Sequence, residues 1–102
     1  MNKMIYKGRE RIVRGKLRNF TDLPVEKQDI FKKIKQTINE YISTEVYVFG
    51  SHNHGYWDEE SDYDVIIPST DYVDILDMTR EKVGVKVDLM FSKYNMEYIA
   101  IP

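Results

Sequence analysis

Two aspartates open an otherwise apolar segment in the run Asp62-Tyr63-Asp64-Val65-Ile66-Ile67. Its β-branched residues, followed by Pro68, predict a strand over about 62–67. Side chains two apart on a strand share a face, so Asp62 and Asp64 are expected side by side. Paired carboxylates repel each other unless a cation lies between them, and Mg²⁺ prefers such oxygen ligands. The segment therefore predicts a sheet with a divalent-cation site at one edge.

A third aspartate interrupts another strand-like run, Val85-Lys86-Val87-Asp88-Leu89-Met90-Phe91. The alternating apolar residues predict a strand over about 85–91, and parity places Asp88 on the face opposite to Val87. Taken alone, Asp88 also fits a solvent-facing position. If the two strands are neighbours, three carboxylates converge on one site. We expect them within about 8 Å of one another, because the ions of two-metal sites lie about 3.5–4 Å apart.

A glycine-serine pair follows a third short strand, predicted over about 45–49. Glycine lets the backbone turn and approach a ligand closely. If residues 51–56 begin a helical turn, their free N–H groups and the Ser51 hydroxyl can bind phosphate. Gly50-Ser51 alone is a weak signal, but its combination with the acidic strands, in this order, is much more specific.

Apolar residues at helical spacing predict a helix over about 24–43, with Thr21 or Asp22 as its N-cap. A second, shorter helix is predicted over about 72–82, with Asp71 as its N-cap.

Gly84 is expected to end the second helix, and the last ten residues give little signal. The resulting order of helix, strand, strand, helix, strand is typical of an α/β (α+β) domain with a small mixed sheet and flanking helices. We assign residues 21–102 to this domain.

Charge is unevenly distributed along the chain. Residues 1–20 carry seven basic side chains and one acidic one, so the net charge of −2 leaves −8 for the remaining residues. Such a basic arm can bind nucleic acid, dock a partner, or pack locally on the acidic surface, and either a helix or an extended arm fits its sequence.

Several classes of protein are excluded by composition. There is no cysteine, so disulfides, zinc–cysteine sites and thiol catalysis are excluded, which fits a cytoplasmic protein. No apolar run approaches the roughly 18 residues that a membrane span requires. The first residues do not have the pattern of a signal peptide.

The chain resembles the minimal nucleotidyltransferases of the polymerase-β-like superfamily. The resemblance lies in an ordered pattern: Gly50-Ser51, ten further residues, Asp62-x-Asp64, and then an aspartate on a later strand. The resemblance covers about residues 46–91, and the helix over 24–43 stands where that family has its leading helix. It implies the polymerase-β-like nucleotidyltransferase fold and an Mg²⁺-dependent enzyme. Such an enzyme transfers a nucleoside monophosphate, here expected to be AMP from ATP, to a hydroxyl group on a macromolecular partner.

The resemblance also implies a role for each matching residue. Asp62 and Asp64 would bind both Mg²⁺ ions, with Mn²⁺ as an alternative, and Asp88 would bind one ion and help to activate the attacking hydroxyl. Gly50 and Ser51 would hold the triphosphate tail. Small family members often act as the antitoxin of a toxin–antitoxin pair and modify a helical partner protein. A catalytically silent module that neutralises its partner by binding is the alternative, and the intact carboxylate trio favours the enzyme.

His52 and His54 occupy places where the family often has arginines. We assign them to nucleotide binding, which their partial charge would make pH-dependent. Alternatively, with Asp58 they form a minimal transition-metal site. Tyr56 and Trp57 either stack on a nucleobase or cover the sheet edge. Because the chain ends soon after the third strand, the acceptor is expected to be held by a partner or by the basic arm.

Overall fold

The computed structural model describes residues 2–68, 74–91 and 97–102. Its strands and helices are, in chain order, β1 (Asn2–Tyr6), β2 (Arg9–Val13), α1 (Val25–Asn39), β3 (Tyr47–Val48), α2 (Gly50–His54), β4 (Tyr63–Ile66), α3 (Ile75–Val83), β5 (Val87–Met90) and β6 (Ile99–Ala100), with a 3₁₀ turn at Phe20–Asp22. β1 and β2 form a hairpin, and the other strands form one mixed sheet in the order β5-β4-β3-β6. The predicted α/β class, with a small mixed sheet and flanking helices, is confirmed.

The mixed sheet brings the two aspartate-bearing strands together. β4 and β5 run parallel, and Asp64 lies opposite Asp88 in the register. β3 pairs antiparallel with both β4 and β6. Val65 and Val87 are fully buried. Since neighbouring side chains on a strand alternate between faces, the apolar face holds these strands in the core and the aspartates lie on the other face.

The core lies between α1 and the mixed sheet. α1 contributes Phe31, Ile34 and Ile38, all fully buried, and Val48 and Val65 of the sheet are buried with them in one cluster. Burying each side chain of this size stabilises the fold by about 1.5–3 kcal/mol. α3 packs against both α1 and β5, and it therefore links the leading helix to the second aspartate-bearing strand.

The N-cap of α1 differs from the prediction. Pro24, and not Thr21 or Asp22, precedes the first residue of α1. Asp22 is already used, because its carboxylate accepts two backbone N–H groups at the 3₁₀ turn, each at 2.9 Å. Asp74 precedes α3, while the predicted cap Asp71 lies outside the described residues.

The first residues of the basic arm form a hairpin and not a helix. β1 and β2 pair from Asn2 and Val13 to Tyr6 and Arg9. The chain then continues into the body, where Leu17 is buried in the same core as α1. The end of the arm is therefore part of the packed domain.

The C-terminal segment, which gave little sequence signal, contains a strand. β6 pairs with β3, and the following Ile101 is 1% exposed. Among the described residues, no helix combines the length and the apolar character that crossing a membrane requires.

Candidate active site

Three carboxylates meet where β4 and β5 lie side by side. Asp62, Asp64 and Asp88 each place one carboxylate oxygen within 4.8 Å of the other two. The prediction from parity, that these side chains converge at one edge of the sheet, is confirmed. Their roles as metal ligands and catalytic groups stay predictions at this point.

Gly50 lies against the carboxylate of Asp64. Its φ is +70°, a region that side-chain-bearing residues rarely adopt. A Cβ at this position would collide with the Asp64 carboxylate, whose Cγ would lie only 3.0 Å away. Glycine therefore allows the start of α2 and the Asp64 side chain to share this space. The helical turn expected after Gly50 is confirmed as α2.

Burial and mutual repulsion disfavour the ionised forms of Asp62 and Asp64. Burial raises the pKa of Asp64 to about 7, and the charges of Asp88 and Asp62 add to the rise. The pKa of Asp62 is also raised, first by burial and then by a hydrogen bond to Asp88 and by its charge. A bound cation would relieve this repulsion. Three closely spaced carboxylates are the oxygen donors that hard divalent cations such as Mg²⁺ and Mn²⁺ bind, so the donor set fits such an ion.

Arg80 of α3 fixes the position of Asp88. Its Nη2 donates to Asp88 Oδ1 at 2.9 Å, and its Nε donates to the Val87 carbonyl oxygen at 2.7 Å. Arg80 is not among the site residues predicted from the sequence. Its position in the sequence could have indicated this contact, because Arg80 is in the last turn of the helix that directly precedes β5, the strand of Asp88.

The carboxylates form one wall of a cleft of about 590 Å³, a volume typical of small-molecule sites. Gly50 and Ser51 line the cleft beside Asp64. A second wall is the N-terminal hairpin, which contributes Tyr6, Lys7, Arg9 and Arg11. The basic arm was offered from sequence only as one of two possible holders of the acceptor, and its hairpin and the place of that hairpin in the cleft are shown by the structure.

A family model described as "Nucleotidyltransferase domain" matches residues 28–100, a range that includes the three converging aspartates. The chain belongs to this nucleotidyltransferase domain family. Membership indicates a nucleotide substrate and transfer of a nucleotidyl group as the general activity. Neither the curated proteins nor the solved structures gave a significant match.

The hairpin lies outside the residues that match the nucleotidyltransferase family, and ion pairs hold it against the cleft. Arg9 Nε donates to Asp58 Oδ2 at 2.8 Å. Arg11 is 4% exposed and donates to Ser61 Oγ at 3.1 Å. The Arg9 guanidinium holds the pKa of Asp58 well below its usual range. The hairpin thus partly neutralises Asp58 and Glu60, two acidic residues beside the cleft.

The segment after the hairpin crosses the end of α2 at close range. The backbone N–H of Arg14 donates to the Gly55 carbonyl oxygen at 2.8 Å, and that of Leu17 donates to the Asn53 carbonyl oxygen at 2.9 Å. A Cβ at Gly55 would collide with the Gly15 backbone carbonyl. These contacts tie the N-terminal segment to the nucleotidyltransferase domain through the backbone.

His52 lies in the core of the nucleotidyltransferase domain and does not reach the cleft. It is fully buried. Its ring stacks on Tyr63 at 4.8 Å and on Trp57 at 5.5 Å, and it meets the edge of Phe31. Burial lowers the pKa of His52 to about 3, with the charge of Lys27 adding to the effect. This position contradicts the prediction that His52 binds nucleotide, because a neutral, buried ring cannot contact phosphate. Trp57, at 7% exposure, is likewise a core residue.

His54 is not among the residues that line the cleft. Its Nδ1 lies 3.7 Å from Glu97 Oε2, and its ring stacks on Tyr56 at 5.7 Å. The alternative transition-metal site with Asp58 is not formed. Among residues 2–68, 74–91 and 97–102, the aspartate trio is the one group of three potential ligands close enough to share an ion.

Proposed function

We propose that this nucleotidyltransferase domain transfers AMP from ATP to a hydroxyl group on a macromolecular partner. The observation that supports the proposal most is the convergence of Asp62, Asp64 and Asp88 beside Gly50 in a cleft of about 590 Å³. Carboxylates that share one space in a cleft are typical of a functional site, and the pKa values of Asp62 and Asp64 are both raised there.

Asp62 and Asp64 would hold two divalent cations, with Asp88 as a ligand to one of them. When bound, such ions lower the pKa of an attacking hydroxyl and neutralise charge on a leaving pyrophosphate. The burial of Asp64 favours this role, because cation binding replaces the proton that burial otherwise favours at this carboxylate.

In the proposed reaction, the acceptor oxygen attacks the α-phosphorus in line with the bond to the β-phosphate. The new oxygen–phosphorus bond forms as that bond breaks, and pyrophosphate leaves. Asp88 takes the acceptor proton as general base. Its side chain is 47% exposed, so an acceptor can reach it from solvent, and Arg80 keeps it oriented. Gly50 and Ser51 lie beside Asp64 and position the triphosphate tail.

The rim of the cleft beside Asp88 suits a protein acceptor. Lys86 exposes 76% of its side chain and Met90 is 37% exposed, and both line the cleft. A mixed polar and apolar rim of this kind is common in protein interfaces. Together with the resemblance to small family members, it supports a role as the antitoxin of a toxin–antitoxin pair that modifies a helical partner.

The proposal is tested by incubating the full chain with α-labelled ATP, Mg²⁺ and the protein encoded beside it. The partner should become labelled, and the label should be removed by protease and not by nuclease. The Asp62→Ala/Asp64→Ala variant should transfer no label, whereas the matched control Asp29→Ala/Asp77→Ala, which removes two exposed carboxylates, should transfer it normally.

Equal labelling by the Asp62→Ala/Asp64→Ala variant would contradict the mechanism. If the wild type transfers no label, and the same variant still protects cells from the partner, the chain is instead a module that neutralises its partner by binding.

A further inference from the structure

The proposed reaction brings a strongly negative triphosphate next to three carboxylates. Cations on those carboxylates offset part of the repulsion, but side chains that bind the polyphosphate are also needed. Neither His52 nor His54 can provide one, because the first is buried in the core and the second lies outside the cleft. The positive charge must therefore come from another part of the chain.

The cleft lining carries as many basic side chains as acidic ones. The acidic side chains are Glu60, Asp62, Asp64 and Asp88, and the basic ones are Lys7, Arg9, Arg11 and Lys86. Both arginines already have partners, since Arg9 pairs with Asp58 and Glu60 and Arg11 is buried against Ser61. Lys86 also has a partner, because its Nζ lies 3.9 Å from Asp62 Oδ1. Among the described residues of the lining, Lys7 is therefore the one basic side chain without an ion pair.

Lys7 lies at the tip of the hairpin, between β1 and β2, and lines the same cleft as the three carboxylates. It has a φ of +51° and is followed by Gly8 at +76°, the conformation of a tight two-residue turn. Its Nζ lies 5.6 Å from the Tyr6 ring, and it forms no ion pair with any described residue. Its amine is therefore available to an anion bound in the cleft that the three carboxylates also line.

The hairpin presents Lys7 from an anchored base. Arg9 and Arg11 follow directly in β2 and are tied to Asp58 and Ser61. The turn is therefore held at a defined distance from β4, although the hairpin has little core of its own. An anchored strand pair loses less conformational freedom on binding than a mobile arm does.

We infer that Lys7 binds the polyphosphate tail of the nucleoside triphosphate, and that the hairpin is the part of the chain that supplies this contact. The inference rests on the proposed function, because it assumes a triphosphate whose α-phosphate lies at the aspartates. It adds a specificity residue from outside the matched residues 28–100. A lysine at this position favours nucleotides with a highly charged phosphate tail, and it does not discriminate between nucleobases.

Equilibrium binding measures this contact without requiring turnover. The full chain is titrated with each of the four common nucleoside triphosphates, and with the corresponding monophosphates, in the presence of Mg²⁺. Lys7→Gln should weaken binding of the triphosphate about ten- to hundredfold, the usual effect of losing a charged hydrogen bond. Binding of the monophosphate should change less than about threefold, and Lys7→Arg should retain triphosphate affinity.

Lys3→Gln is the matched control. Lys3 is on β1, carries the same charge, pairs with Glu10 at 3.0 Å and does not line the cleft. Its loss should leave both affinities unchanged, and thermal unfolding should show that all variants are folded.

Three results would overturn the inference. If Lys7→Gln binds triphosphate as well as the wild type does, Lys7 is not a phosphate contact and the proposed function stands unaffected. If triphosphate and monophosphate affinities fall equally, the lysine does not recognise the tail. If the wild type binds none of the four triphosphates, the proposed function fails together with the inference.

Discussion

The two walls of the cleft are held in place by different forces. The β4–β5 wall is fixed by fully buried residues such as Val65 and Val87, so its aspartates stand on the most tightly packed part of the molecule. The hairpin wall has little core, and Ile5 is 77% exposed. Its position depends on Arg9 and Arg11. The three aspartates, whose geometry must stay fixed, thus lie on the packed sheet. The proposed phosphate contact, Lys7, lies on a hairpin that is held by the polar contacts of two arginines.

The first prediction separates the chemical roles of the two walls and has the largest expected effect. Asp88→Asn should lower kcat for nucleotidyl transfer by at least about 100-fold, because it removes the proposed general base and a ligand. Lys7→Gln should mainly raise KM for the triphosphate. Steady-state kinetics with the labelled partner measures both constants, with Asp77→Asn as the exposed control. An Asp88→Asn variant with the kcat of the wild type would contradict the assignment.

The second prediction concerns the packed wall alone. Gly50→Ala should lower the free energy of unfolding by about 3 kcal/mol, because the new Cβ meets the Asp64 carboxylate and the residue keeps a positive φ. Gly84→Ala is the control. Gly84 has a similar φ of +78°, but nothing lies within 4 Å of its Cβ position. That variant should cost only about 1 kcal/mol. Urea unfolding measures both, and equal losses would show that the contact with Asp64 is unimportant.

The third prediction detaches the hairpin while leaving the sheet intact. Arg11→Met should destabilise the chain by about 2–3 kcal/mol, since it removes a buried charge from Asp58 and Ser61. Amide hydrogen exchange should accelerate in β1 and β2 and stay slow in β4. Lys3→Met, which breaks an exposed ion pair, should cost less than about 1 kcal/mol. Unchanged exchange in the hairpin would mean that the arginine does not anchor it.

The sheet could be predicted from sequence because its information is local. Parity places Asp62 and Asp64 on one face of their strand and Asp88 on the face opposite to Val87. The pairing of β4 with β5, on which the convergence of all three depends, is shown only by the structure. The position of the hairpin could not be predicted, since Arg9 and Arg11 meet partners 49 and 50 residues away. The charge composition shows that ion pairs between the arm and the rest of the chain can form, but it does not show which residues pair.

Two further misses have physical reasons of the same kind. His52 was assigned to phosphate from its place in a motif, but the five-residue turn of α2 directs it between Tyr63 and Trp57. β6 contains only two residues, and it exists because the backbone of β3 offers an edge. Neither the direction of a side chain from a short turn nor a two-residue strand leaves a periodic signal in the sequence.

The fourth prediction is the smallest and concerns pH. The pKa of Asp64 rises from 3.8 to about 7 on folding, so the folded, metal-free chain binds more protons than the unfolded chain between these values. The contribution of Asp64 to the free energy of unfolding should therefore fall as the pH rises from about 4 to 7. We expect a change on the order of 2 kcal/mol after allowance for partial solvent screening.

A second titrating group acts in the opposite direction. The pKa of His52 falls from 6.5 to about 3, so His52 costs stability as pH decreases below 6.5. The difference in unfolding free energy between the wild type and Asp64→Asn isolates the aspartate. This difference should vary with pH when a chelator removes divalent cations, and it should vary much less when Mg²⁺ is present. A difference independent of pH in chelator would contradict the raised pKa.

Direct binding of Mn²⁺, followed by electron paramagnetic resonance, tests most directly the claim that the β4–β5 aspartates form a divalent-cation centre. The wild type should remove Mn²⁺ from the free-ion signal at millimolar concentrations or below, and Mg²⁺ should compete. Asp62→Ala/Asp64→Ala should lose this binding, whereas Asp29→Ala/Asp77→Ala should retain it. Equal Mn²⁺ binding by the wild type and by the variant that lacks Asp62 and Asp64 would contradict the account.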